Sequence, residues 1–320
     1  NLPIALPVDP NNFGLPWATV RATLRLKCLQ VLTRAMDGGT SQLGDDIEVM
    51  LMHSDILDDD PILISVLVSS ACQALTLSTI ERTLALPTVD AGQLERIQRM
   101  LESRERTERL PRAIRGERGL FIAFADHSRQ PGGILASGKH LPAVGRIPGA
   151  QGLLMQDEAS GLRLMNRMVR AVDSGDPAEA RAVGAELAGV SPIRVLTRTL
   201  VFDASRVMDL DKRDLAELRC TWTALAAERF RLATGRFPTE LTELVPSFLT
   251  RVPEDPFAAG SSLRCILRED RFVIYSVCVN ARDDGGTLQA GPGGDRPDIG
   301  YTLLEPTARN APPLPKTQGS

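Results

Sequence analysis

Residues 211–235 read DKRDLAELRCTWTALAAERFRLATG, and the way this stretch packs decides the fold. Leu215, Leu218, Trp222, Leu225, Ala226 and Phe230 recur at helical spacing, so a helix here carries an apolar stripe that must be covered by other elements. Gly235 supplies the left-handed residue that commonly ends a helix. Beyond it the pattern changes from period 3.6 to period 2. A short helix is predicted over 239–248 and a Pro-rich turn over 252–257. Two alternating runs, Leu263 to Leu267 and Phe272 to Val277, then flank the polar pair Glu269-Asp270, which is the signature of an antiparallel hairpin. A third strand is expected near Ile299 to Leu304. The helix and hairpin together predict a small α+β module over 206–304 containing an antiparallel sheet. Pro306, Pro312, Pro313 and Pro315 lead to the expectation of a disordered tail over 305–320.

Upstream of this module the sequence reads as helix throughout. Leu, Ala and Arg are plentiful and aromatics make up only 4%, a composition that favours helices because straight-chain residues lose little rotamer freedom in them. Helices are predicted near 16–37, 43–55, 61–86, 91–109, 111–126, 153–173, 177–188 and 192–208, forming a domain of stacked antiparallel helices over 1–205. Asp60-Pro61, Asp176-Pro177 and Ser191-Pro192 each place a capping side chain before a proline whose missing N–H costs nothing in a first turn. Asp90 with Gln93 reads as a capping box. Between 127 and 152 the periodicity gives way to Gly, Pro and Ser, predicting a long loop. The uncharged run from Pro61 to Ile80 contains several Ser and Thr residues and reads as a buried core helix rather than a membrane span.

Composition narrows the function classes. With 320 residues and 43% apolar content the chain can bury real cores, and a formal charge of −3 gives no basic footprint for nucleic acid. The five cysteines lack any C-x-x-C or Cys/His zinc spacing and read as buried small hydrophobes. The three histidines are too scattered in sequence for a metal motif. No nucleophile elbow, Walker loop or dinucleotide fingerprint occurs. Carboxylates on different helices can still meet in space, so a hydrolase or small-ligand-binding protein using a groove in the helical domain stays open as the alternative reading.

The segments Glu228–Pro238, Leu241–Pro246, Val252–Phe257 and Phe272–Val277, closing with Asp283-Asp284-Gly285-Gly286 and Asp298-Ile299, resemble the soluble head of the major pseudopilin of type II secretion. Arg115–Leu120 and the helix from Pro61 to Leu86 extend this likeness to planctomycete-type families of membrane-anchored helical proteins with a pseudopilin-like C-terminal domain. The resemblance implies a periplasmic or extracytoplasmic protein, tethered by an anchor upstream of Asn1, that acts in protein interaction or scaffolding. The chain opens at Asn1 with no initiator Met and no signal-like region, and reads as a mature or trimmed piece. A helical domain stands where a pilin has its apolar N-terminal rod, so pilin-type polymerisation is not implied. By position, the resemblance also implies a calcium site in the loop after the second strand, with Asn280, Asp295 and Asp298 as side-chain ligands. Calcium takes six to eight oxygens, and carboxylates among Gly turns and free carbonyls can supply them. Asn280 stands where the family has an acid, which lowers the charge available to the ion.

Overall fold

The computed structural model describes residues 17–58, 60–86, 89–105, 108–129, 150–288 and 297–309. The chain is mainly helical with a three-stranded antiparallel sheet. The helices are α1 (Trp17–Met36), α2 (Leu43–Asp58), α3 (Leu63–Leu84), α4 (Ala91–Glu102), α5 (Arg109–Arg129), α6 (Ala150–Ser174), α7 (Pro177–Ala188), α8 (Val195–Leu200) and α9 (Ala204–Thr234). The strands β1 (Arg264–Leu267), β2 (Arg271–Ser276) and β3 (Ile299–Leu304) follow in the order β1-β2-β3. Most of the expected 127–152 loop lies outside the described residues, as does the tail beyond Arg309.

Two apolar cores organise these elements. The first gathers Leu24, Ile47, Ile80 and Leu94 from α1 to α4 around Trp222, Leu225 and Phe230 of α9, and continues into Phe272, Ile274 and Tyr301 of the sheet. The second joins Ile114, Phe121, Met165 and Met168 of α5 and α6 to Leu196 of α8 and to Val207 and Met208 at the start of α9. Helix α9 therefore begins in one core and ends in the other. Its stripe is covered on one side by α3 and α4 and on the other by β2 and β3. In the sheet, Phe272 stands opposite Leu303 and Ile274 opposite Tyr301. All four are buried, so the period-2 face predicted from sequence is the face the core receives. Each large side chain buried this way contributes about 1.5 to 3 kcal/mol.

Several boundaries differ from the sequence pattern, each for a local reason. Helix α4 stops at Glu102, and Arg104, in the turn that follows, reaches Asp55 of α2 at 2.9 Å. The helix expected over 192–208 divides because Val201 is extended and Asp203 caps a new helix, accepting from the Ser205 N–H at 3.0 Å. The helix expected over 239–248 contracts to a 3-10 turn at Leu241–Leu244, with a capping box between Glu240 and Glu243. Asp176 caps α7 and Asp90 caps α4 as their positions suggest. Gln93, however, does not complete a box, because its amide bridges to Ser41 O and the Gly44 N–H of the α1–α2 hairpin.

Two helices are capped from a distance instead of by the residue before them. Asp60 accepts from the Ser65 hydroxyl, while the Leu63 N–H at the head of α3 donates to Glu117 of α5 at 2.7 Å. Ser191 gives way to Asp157 of α6, whose buried carboxylate accepts the Leu196 and Thr197 N–H groups at 2.8 and 3.1 Å. Both contacts satisfy orphan first-turn donors and tie helices together. Gly116 makes the first possible, since a Cβ there would lie 1.6 Å from the Pro61 carbonyl oxygen. The chain stays packed through Arg309, whose guanidinium meets the Glu228 carboxylate at 2.7 and 2.8 Å inside the fold.

Candidate functional site

A polar seam crosses the molecule where α9 passes between the two cores. Arg109 at the start of α5 pairs with Asp214 at 2.8 Å and with Asp211 at 3.5 Å, and also donates to Ser69 and Ser70 of α3 at 3.3 Å. Ser70 donates to Asp214, Gln73 donates to the Asp214 carbonyl at 3.0 Å, and Ser69 donates to Asp58 at 3.0 Å. Burial pushes both Asp211 and Asp214 up, with Arg109 pulling the other way. The space left among these groups is about 30 Å³, the share of a single water. Its polar groups are engaged with one another, which makes the seam a fastening of α3, α5 and α9.

Beside the seam, α3 and α9 leave a groove. Leu67, Ala71, Ala74 and Ser78 are three or four residues apart and so share one face of α3. The small side chains of Ala71, Ala74 and Ser78 hold the wall back from Arg206, Leu210, Arg213 and Glu217 of α9. The groove widens into a hollow of about 930 Å³ near the start of α9 and another of about 320 Å³ against β3, and both are bordered by Ala74, Arg213 and Glu217. The side chains of Arg213 and Glu217 make no hydrogen bond or ion pair among the described residues. Burial pushes Glu217 up to about 7, Asp214 and Glu81 reinforce the shift, and Arg213 opposes it. Tyr301 forms part of the smaller hollow and is buried, and its hydroxyl has no hydrogen-bond partner among the described residues. Burial raises that phenol well above its ordinary value, and the charges of Glu81 on α3 and Glu228 on α9 add to the effect. Arg309 opposes them.

The loop after β2 is ordered around Asp298. Its carboxylate is buried and accepts the N–H groups of Gly286 at 2.8 Å and Asp284 at 3.4 Å. Burial pushes Asp298 up, and the neighbouring Asp284 and Asp283 reinforce this against the two amides. Asn280 is exposed, accepts from the Arg282 N–H at 3.0 Å and donates to Asp284 at 2.9 Å. Asp295 lies outside the described residues. Asn280 and Asp298 are thus gathered into one loop through Asp284, and no group of three or more His, Cys, Asp or Glu in metal-holding geometry occurs among the described residues. Nearby, buried Asp255 ties the 252–257 turn to the sheet, accepting from the Ser276 hydroxyl at 2.6 Å and the Val277 N–H at 3.1 Å.

No family model, curated protein or solved structure matches this chain. The groove was not legible in the sequence, because it depends on which faces of two helices far apart in the chain, Leu63–Leu84 and Ala204–Thr234, meet. The only signal was the small-residue spacing of Ala71, Ala74 and Ser78, in a segment read simply as a buried helix. That helix, Leu63–Leu84, is the one among the described residues long and apolar enough to cross a membrane, and 56% of its apolar window is buried in the fold.

Proposed function

We propose that the protein is an interaction scaffold held outside the cytoplasm, with the groove between α3 and α9 as its recognition surface and a pseudopilin-like head as the wall beneath it. The observation that carries this reading is the groove itself: a long cleft bordered by an arginine and a carboxylate, each unpaired among the described residues, on a helix whose other faces are committed to packing. Charged groups half-withdrawn from water without partners are costly, and a binding partner would compensate them. The extracytoplasmic setting and the upstream tether rest on the likeness of the helix–turn–hairpin–strand order to a pseudopilin head. The same likeness supports calcium at Asn280, Asp295 and Asp298, helped by the crowding of Asp283, Asp284 and Asp298 in one loop.

In-cell photocrosslinking tests the reading. A photoreactive residue at Leu67, in the groove, is expected to give a discrete adduct in intact cells, whereas one at Leu153, exposed on α6, gives none. Spheroplasts should expose the head to added protease. Identical crosslinking at both positions, or none at either, would overturn the groove as a recognition surface, and protection until lysis would overturn the compartment.

A further inference from the structure

The hairpin of α1 and α2 is apolar on both of its sides. Leu24, Cys28, Val31 and Ala35 of α1 and Ile47, Met50 and Leu51 of α2 turn inward, and both helices pack on α3. On the opposite side of α1, Leu26, Leu29 and Met36 recur at helical steps, and Val49, Met52 and Ile56 do the same on α2. All six are exposed, Leu29 at 63% and Met52 at 54%. Asp46 of α2 holds Lys27 at 2.8 Å and Arg34 at 2.7 Å, which fixes the helices side by side with Asp46 level with the stretch between those two cations. Counted antiparallel from there, Leu26 and Leu29 fall within a turn of Val49 and Met52. The two rows therefore form one outward patch, the kind of surface that marks an interface.

The charges around the patch separate by helix, and this says what covers it. Helix α1 carries Arg21, Arg25, Lys27 and Arg34 and no acid, whereas α2 carries Asp45, Asp46, Glu48, Asp55 and Asp58 and no lysine or arginine. Arg21 and Arg25 are exposed and make no hydrogen bond or ion pair among the described residues. On α2, the side chains of Asp45 and Glu48 are 66% and 49% exposed even while Arg96 holds them at 2.6 Å. An anionic lipid surface would suit α1 and repel α2. A second copy answers both halves. A two-fold rotation about an axis along the hairpin lays α1 of each copy on α2 of the other, so that apolar row meets apolar row and basic helix meets acidic helix, twice. The face is about 24 Å long and about 20 Å wide, on the order of 500 Å² per copy, the scale of a reversible homodimer and not of an obligate one. We propose that the outer face of the α1–α2 hairpin is a self-complementary interface through which two copies of this chain associate. It shares no residue with the groove between α3 and α9 and does not depend on the reading of that groove.

Sedimentation equilibrium of the full chain, from micromolar concentration upward, tests the proposal. The mass is expected to rise reversibly from 34.7 kDa toward twice that value. Leu29→Asp and Met52→Asp sit at exposed positions and leave the fold intact, which circular dichroism checks, and each should weaken the dimer about tenfold or more by placing a charge in the apolar rows. A charge exchange tests the pairing itself. Arg21→Glu with Arg25→Glu makes α1 acidic on its free flank, and Asp45→Lys with Glu48→Lys makes the exposed flank of α2 basic. Each double variant alone sets like charges against each other and should stay monomeric where the natural chain is dimeric. Mixed together, they should form a one-to-one heterodimer, because each altered helix again meets its opposite. Dimerisation that Leu29→Asp and Met52→Asp leave unchanged overturns the proposal, as does a failure of the mixed charge variants to associate. A monomer at every concentration also overturns it: binding to anionic phospholipid vesicles would then assign the face to a membrane, and a Leu29→Cys thiol shielded from maleimide would assign it to residues 1–16 of the same chain.

Discussion

Replacing Glu217 by Gln is expected to make the protein more stable above neutral pH and to leave it nearly unchanged in acid. The folded state raises this carboxyl from 4.5 to about 7, chiefly by burial and then through the like charges of Asp214 and Glu81, with Arg213 working in the opposite sense. A group whose folded value lies above its unfolded value holds its proton more tightly when folded. Its contribution to stability is therefore complete below about 4.5 and is lost as pH rises through about 7. At about 1.36 kcal/mol per pH unit that interval corresponds to roughly 3.4 kcal/mol. The carboxyl is half-buried, so solvent screening reduces the effect to on the order of 2 kcal/mol. Glutamine keeps the shape and cannot ionise, so the difference between the two proteins isolates this group while the other carboxylates largely cancel. Urea unfolding followed by far-UV circular dichroism at intervals from pH 4 to pH 8.5 gives the measurement. Curves that coincide at pH 4 and separate by about 2 kcal/mol above pH 8, with Glu217→Gln the more stable, support the reasoning. A constant offset, or superimposable profiles at every pH, refutes it.

Trp222→Ala removes a buried indole from the junction of α9 with α4 and the sheet, and should cost about 3 to 5 kcal/mol in the same unfolding assay; a change near zero would mean that the stripe is not core. Arg309→Met strands part of the buried Glu228 charge, leaving Arg231 at 2.7 Å as its one cation among the described residues, and should cost about 2 kcal/mol, whereas the paired change Arg309→Met with Glu228→Gln should restore most of that loss. Calcium at millimolar concentration is expected to raise the melting temperature, with chelator reversing the rise and Asp298→Asn abolishing it; an unmoved transition removes the ion from the 280–298 loop.

The strand face, the start of α7, the C-terminal end of α9 and the apolar stripe of 215–230 were legible because each depends on residues close in sequence. Asp176 next to Pro177, Gly235 with φ 83° and the alternation of Phe272 to Val277 are local facts with local consequences. Less was visible where a distant residue supplies the chemistry. Asp60 and Ser191 looked like caps by position, yet Glu117 and Asp157 took over the helix ends because tertiary packing brought a distant carboxylate to those N–H groups. The candidate site was hidden for the same reason: Glu217 and Ala74 are unremarkable until α3 and α9 lie side by side. Asn280 and Asp298 lie in one loop, linked through Asp284, while Asp295 lies outside the described residues.

The polar seam explains why the groove has the side chains it has. An apolar interface tolerates small rotations of a helix about its axis, since one hydrophobic side chain can substitute for another. A charged, hydrogen-bonded contact tolerates far less, because a misplaced partner leaves buried charge unpaired. Arg109 holds Asp211 and Asp214, three residues apart on one face of α9, and Gln73 grips the backbone at Asp214. That fixes the rotation of α9 one turn before Glu217. A helix advances about 100° per residue, so a slip of one position would turn Glu217 toward the core and bring Ala216, now buried against Cys278 and Ile299, toward the groove. The seam occupies no ligand space of its own. Its role is to set the angle at which α9 presents Arg213 and Glu217, so loosening it through Arg109→Met should disturb binding in the groove without touching any residue that borders the smaller hollow.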